Sequence, residues 1–180
     1  MVRWCSQRGA TKVVPWAVMM VMVWCVQPGL TIRVDDKEGF GLCNVPQVGK
    51  LQTVAVKECS KWPCLAQVGR SGTYEVTFTQ ETENVIYSIE SSIYVWVKLP
   101  FVHGGRKPVR VVMPGEKGKD LCGHISPPCP LRPGVPTTIS KSITIPLQAR
   151  LAQGTVVVEF TVMDEQDRVL ICFRAPVIVV

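Results

Sequence analysis

Residues Thr155 to Val180, TVVVEFTVMDEQDRVLICFRAPVIVV, restrict the possible folds more than any other stretch. Val156, Val158, Phe160 and Val162 share one parity, with Glu159 and Thr161 on the other. After the charged DEQD turn, Asp164 to Asp167, a second run sets Val169, Ile171 and Phe173 against Leu170, Cys172 and Arg174. Alternation with period two around a polar turn predicts an antiparallel hairpin with one buried face. The opposite face of its second strand carries Cys172, which needs a distant partner.

Further alternating runs extend this pattern. In Val48 to Cys59, Val54 and Val56 share a face; in TYEVTFT, Thr73 to Thr79, so do Tyr74, Val76 and Phe78. Ile86 to Phe101 sets Ile93, Val95, Val97 and Leu99 opposite Tyr94, Trp96 and Lys98. His103-Gly104-Gly105-Arg106 reads as a turn into a returning strand with Val109, Val111 and Met113. Pro114 to Pro136 is irregular, and Thr137 to Ile145 alternates again. About seven short strands with no 3.6-residue periodicity predict an all-β, immunoglobulin-like sandwich of antiparallel strands. A chain of 180 residues, 47% hydrophobic, suits one core.

Met1 to Gly29 is expected to be a secretory signal: a basic start, the apolar run Val13 to Val26, then Gln27-Pro28-Gly29. That run is short for a membrane span of about 20 residues, and Pro15 interrupts it. Residues 30–180 form the single expected domain. Arg3, Arg8 and Lys12 supply three of the six net positive charges, so the remainder carries only +3. That is too weak a footprint for nucleic acid.

Six cysteines follow the leader, and an even number in an exported chain reads as a disulfide framework. Cys59 and Cys64 bracket SKWP, and Cys122 and Cys129 bracket GHISPP. Each pair could close locally, leaving Cys43 for Cys172. A zinc site would want closer cysteine pairs or paired histidines, and only His103 and His124 exist. Neither histidine lies in a motif that would make it a catalytic base, and no phosphate-binding loop is present. The chain is therefore expected to be no enzyme and to need no cofactor or metal. Asn44 and Asn84 are not followed by a glycosylation signal, so an endolysosomal address that depends on N-glycans has no support.

Four features together resemble the ML lipid-recognition family. They are Cys43 near the mature start; Cys59-SKWP-Cys64 followed by TYEVTFT; MPGEKGKDL before Cys122 to Cys129-Pro130; and the ending VVVEFTVMDEQDRVLICFRAPVIVV. The resemblance implies a seven-stranded sandwich with the three disulfides paired as above. It also implies a sterol, fatty acid or phospholipid held between two sheets, and a membrane-protein or receptor partner for hand-off. Family pocket positions match Val56, Leu147, Leu151, Phe160 and Phe173, with Phe101 or Met113 at the mouth. Alternation adds Tyr74, Val76, Phe78, Val95, Val97 and Val162 as inward candidates. Phe160 and Phe173 stand where the sterol-binding branch has tryptophan, which implies a pocket of different shape.

The leading expectation is a secreted lipid-binding and transfer protein. A second is an innate-immune recognition protein that presents microbial lipid to a receptor through Trp62, Trp96, Arg106, Lys107 and Arg110. A third is an adhesion module with a filled core.

Overall fold

The computed structural model describes residues 31–98, 108–152 and 154–180. The leader, the His103–Arg106 turn and Phe101 lie outside the described residues.

The described chain forms two facing sheets. The first contains β1 (Thr31–Arg33), β3 (Gly49–Lys57), β5 (Ser71–Gln80), β10 (Pro136–Thr144) and β9 (Ile125–Ser126), in that spatial order. The second runs β2 (Gly41–Leu42), β12 (Val169–Val179), β11 (Gly154–Asp164), β6 (Ile89–Val97) and β7 (Val109–Val112). Two short strands join its flanks: β4 (Cys64–Ala66) pairs with β12, and β8 (Lys119–Asp120) pairs with β6. The expected seven strands are the long ones, β3, β5, β6, β7, β10, β11 and β12. Thr31 to Leu42 and the irregular stretch Pro114 to Pro136 supply β1, β2, β8 and β9, all of three residues or fewer. The β4–β12 pair is parallel, the exception among the described strand pairs, which are otherwise antiparallel.

The terminal hairpin is the centre of the second sheet. Phe160 pairs with Phe173, Val162 with Ile171, and Thr161 with Cys172. Its turn is built by Asp164, whose Oδ1 accepts the backbone N–H groups of Gln166 and Arg168, both at 2.9 Å. The alternation breaks in one place. A bulge between Val162 and Met163 shifts the register, so Leu170 and Ile171 are both fully buried. Strict parity would have put Leu170 on the outer face; an extra residue in one strand re-aims its neighbours.

Three disulfides close the frame: Cys43–Cys172, Cys59–Cys64 and Cys122–Cys129. The first spans 129 positions and ties β2 to β12. Close approach is also required at Gly49, where a Cβ would meet the Leu170 carbonyl oxygen at 2.8 Å.

Inward residues are not equivalent along the sandwich. Val76, Phe78, Ile86, Ile89, Leu121, Leu131, Ile139, Val162, Leu170 and Ile171 pack into a solid core at one end. At the other end the sheets stand apart.

Candidate functional site

The open end contains a cavity of about 690 Å³ between the sheets. That lies within the range of small-molecule pockets, about 300–1,000 Å³. Each sheet supplies one wall. Val54 and Val56 on β3, Tyr74 on β5 and Ile143 beyond it on β10 form the first. Ile93, Val95 and Val97 on β6 face them, with Val156, Val158 and Phe160 on β11 and Phe173, Ala175, Val177 and Val179 on β12. The inner end is aromatic: the Tyr74 and Phe160 rings meet edge-to-face at 5.0 Å, and Phe160 lies 5.3 Å from Phe173. A smaller hollow of about 280 Å³ lies elsewhere, against Pro127, Pro128, Pro130, Arg132 and Val135.

Of the residues expected at the pocket, Val56, Tyr74, Val95, Val97, Met113, Leu151, Phe160 and Phe173 line this cavity. Val76, Phe78 and Val162 do not. They point inward as their parity requires but sit in the solid end, where each is 0% exposed. Leu147 is also off the wall: it is exposed on the short 3-10 helix Leu147–Ala152, beside the Gly69 turn. Phe101 lies outside the described residues.

Several lining groups were not anticipated as pocket residues. Ala175, Val177 and Val179 continue the parity of Phe173 past Arg174, so extending the alternation would have found them. Ala149 and Ala152 come from the 3-10 helix, which has no period-two signal. Trp62, expected on an outer contact surface, instead lines the cavity. Its indole N–H donates to the Glu38 carbonyl at 2.9 Å, and the Cys59–Cys64 bridge holds its loop closed.

Among the described residues the walls are mainly apolar, and Lys57, Glu58 and Arg70 are the charged side chains that line them. Lys141 shares the inward parity of Ile139 and Ile143, and its Nζ reaches Glu116 Oε2 at 2.5 Å. This largely buried pair spans the flank between the sheets. Nearby, the Tyr74 hydroxyl is buried and has no hydrogen-bond partner among the described residues. Burial pushes its pKa up, and the Glu116 charge adds to that. The phenol is thus neutral at any physiological pH.

The outer face of the second sheet holds a separate cluster. Glu159 accepts hydrogen bonds from Trp96 Nε1 at 3.0 Å, Arg110 Nε at 2.8 Å and Arg174 Nε at 2.8 Å. Arg110 also stacks on Tyr94, and Arg174 on Trp96. Trp96 and Arg110, expected as receptor contacts, are engaged here; Arg106 and Lys107 lie outside the described residues. Glu159 is close to the sulfurs of Cys43 and Cys172, within 4.8 Å. A disulfide offers no thiolate to a metal.

Burial alone would raise the Glu159 pKa, but the hydrogen bonds from Arg174, Arg110 and Trp96 outweigh it and hold the carboxyl below its usual range. A depressed pKa stabilises the fold fully above the unfolded value, about 4.3, and that contribution fades as pH falls through the folded value. Asp35 is lowered in the same sense, first by its hydrogen bonds from Arg33. We expect the denaturation midpoint to hold above about pH 5 and to drop as pH falls below it, and to drop less in Glu159→Gln. Equal pH slopes in urea titrations of the two proteins would show that this cluster contributes nothing.

The ML domain family model matches residues 40–179. The chain belongs to the ML family. Within that family the chain is similar to NPC intracellular cholesterol transporter 2 of Danio rerio, with 25% identity over 137 residues, covering 73% of this chain and 78% of that protein. Among solved structures, the ML fold here is similar to a Niemann-Pick type C2 protein from Japanese carpenter ant. That likeness has a TM-score of 0.60 at 17% identity and covers 78% of this chain and 98% of the other.

Proposed function

We propose that this ML protein is a secreted lipid-binding and transfer protein that holds a sterol or another apolar lipid between its two sheets. The observation that carries the reading is the 690 Å³ cavity with its aliphatic and aromatic walls. A protein interior normally packs to crystal density. Leaving this much apolar wall uncovered forfeits dispersion contacts and keeps apolar surface in contact with water. An apolar guest recovers both, at about 25 cal/mol per Å² of surface removed from water. No covalent step is required.

The frame explains why the walls do not collapse together. The Lys141–Glu116 pair ties the sheets at the flank, and the Cys59–Cys64 loop props Trp62 against one side. The name of the zebrafish relative, a cholesterol transporter, supports a sterol-class guest. The apolar leader and the disulfide framework support export. A carrier of this kind hands its lipid to a membrane or to a membrane-protein or receptor partner.

The test is titration of the purified protein with a fluorescent sterol and, separately, with labelled fatty acid and phospholipid. Saturable uptake of at least one, at one molecule per chain, is expected. No saturable signal with any of the three would remove the carrier reading.

A further inference from the structure

We propose that Arg70 reads the head of the bound lipid, and that the preferred ligand is an amphiphile with an oxyanion head on an apolar chain. The inference rests on the carrier reading above and narrows its ligand class. Among the described residues three charged side chains line the cavity, Lys57, Glu58 and Arg70; Glu58 and Arg70 are exposed, as a rim position requires. Two of them are committed. Lys57 Nζ lies 2.6 Å from Glu75 Oε1, and Glu58 Oε2 accepts the Thr73 backbone N–H at 3.0 Å. The Arg70 guanidinium makes no hydrogen bond or ion pair among the described residues. Counting all three, the described lining carries a net positive charge.

The backbone that presents Arg70 is fixed. Gly69, at φ +80°, turns the chain into β5 in a conformation that suits glycine. Gly69 N–H donates to the Ile145 carbonyl and Ile145 N–H donates to the Arg70 carbonyl, both at 2.9 Å. A third bond runs from Arg70 N–H to the Gln67 carbonyl at 3.0 Å. The base of the side chain is therefore held at the rim while its head stays available.

Chemistry then selects the ligand. A charged group taken into the apolar interior is very costly, so an amphiphile enters tail first and leaves its head at the mouth. The planar guanidinium fork matches a carboxylate or a phosphate with two parallel hydrogen bonds. Gln67 and Gln148, both exposed, line the same cavity and can solvate the remaining oxygens. A head with only a hydroxyl cannot use Arg70 as an ionic partner.

The experiment compares oleate, oleyl alcohol and a monoacyl phosphate, lysophosphatidate, on the full protein at physiological salt. Oleate and oleyl alcohol share a chain and differ in the head. Wild type is expected to bind oleate about tenfold more tightly than oleyl alcohol, the size of a charge-assisted hydrogen bond discounted for exposure. Arg70→Gln should erase that preference while leaving oleyl alcohol binding unchanged, and Arg70→Lys should restore part of it. Whether oleate or lysophosphatidate loses more in Arg70→Gln tells which head the site fits. Uptake of oleyl alcohol with no preference for oleate, or a preference that survives Arg70→Gln, would overturn the assignment and leave the carrier reading standing. Uptake of none of the three lipids would overturn the assignment to Arg70, and the carrier reading falls with it only when a fluorescent sterol also gives no saturable signal.

Discussion

Phe160→Asp is expected to reduce lipid uptake at least a hundredfold. Phe160 is 4% exposed and stands at the inner end of the cavity, between Tyr74 and Phe173. Truncating a buried phenylalanine costs about 3–5 kcal/mol, and a carboxylate left there without a partner adds a desolvation penalty. A guest whose tail ends against that carboxylate loses its apolar floor. The substitution threatens folding as well, so a second variant separates the two effects. Val158→Trp adds bulk to the open half of the cavity without adding charge. It should block uptake while the melting temperature holds or rises, because the new indole covers wall that is otherwise bare. Fluorescent-lipid titration beside thermal denaturation reads both quantities. A folded Val158→Trp protein that still binds at wild-type affinity would show that the ligand sits elsewhere.

Removing the Cys43–Cys172 bridge, by changing both cysteines to alanine, should cost about 5 kcal/mol of stability. In the chain-entropy model the cost grows with the length of the closed loop, and this loop spans 129 positions. The local Cys59–Cys64 closure spans only 5, so its removal should cost distinctly less. The order of the two penalties, read from denaturant midpoints, is the check. The long bridge also supports the hairpin locally: Cys43 N–H donates to the Cys172 carbonyl at 3.0 Å, and Gln47 Oε1 accepts the Cys172 N–H at 2.7 Å. A midpoint unchanged in the double variant would mean that these backbone contacts hold the N-terminal segment unaided.

The two predictions use different kinds of information that the sequence carries unequally. Side-chain parity told which face of each strand turns inward, because successive residues on a pleated strand must point to opposite sides. It did so for Tyr74, Val76 and Phe78 alike. It was silent on depth. Tyr74 borders the cavity while Phe78, four residues along the same face, lies in solid core. What separates them is the cover at each end of the sandwich, which depends on Leu121, Leu131 and Ile86 arriving from distant loops. Leu170 escaped parity for a related reason: a bulge is a one-residue event in the pairing of two strands, and neither strand announces it alone. Trp62 looked like an exposed aromatic in a small loop. Only the folded loop shows that its ring is turned towards the sheets. Cysteine spacing fared better: pairs five and seven apart could close locally, the resemblance to the ML family implied the same three bridges, and the structure has them.

Dividing the sandwich into a filled end and a hollow end has a further consequence for how such a molecule works. Interlocked side chains at the filled end maintain the strand order whether or not the hollow end is occupied. On the carrier reading proposed above, cargo would come and go while the architecture stays put. Occupancy should therefore alter protection from hydrogen exchange around Val56, Ile143 and Val177, while amides near Phe78 and Ile171 keep the same slow rates, loaded or empty.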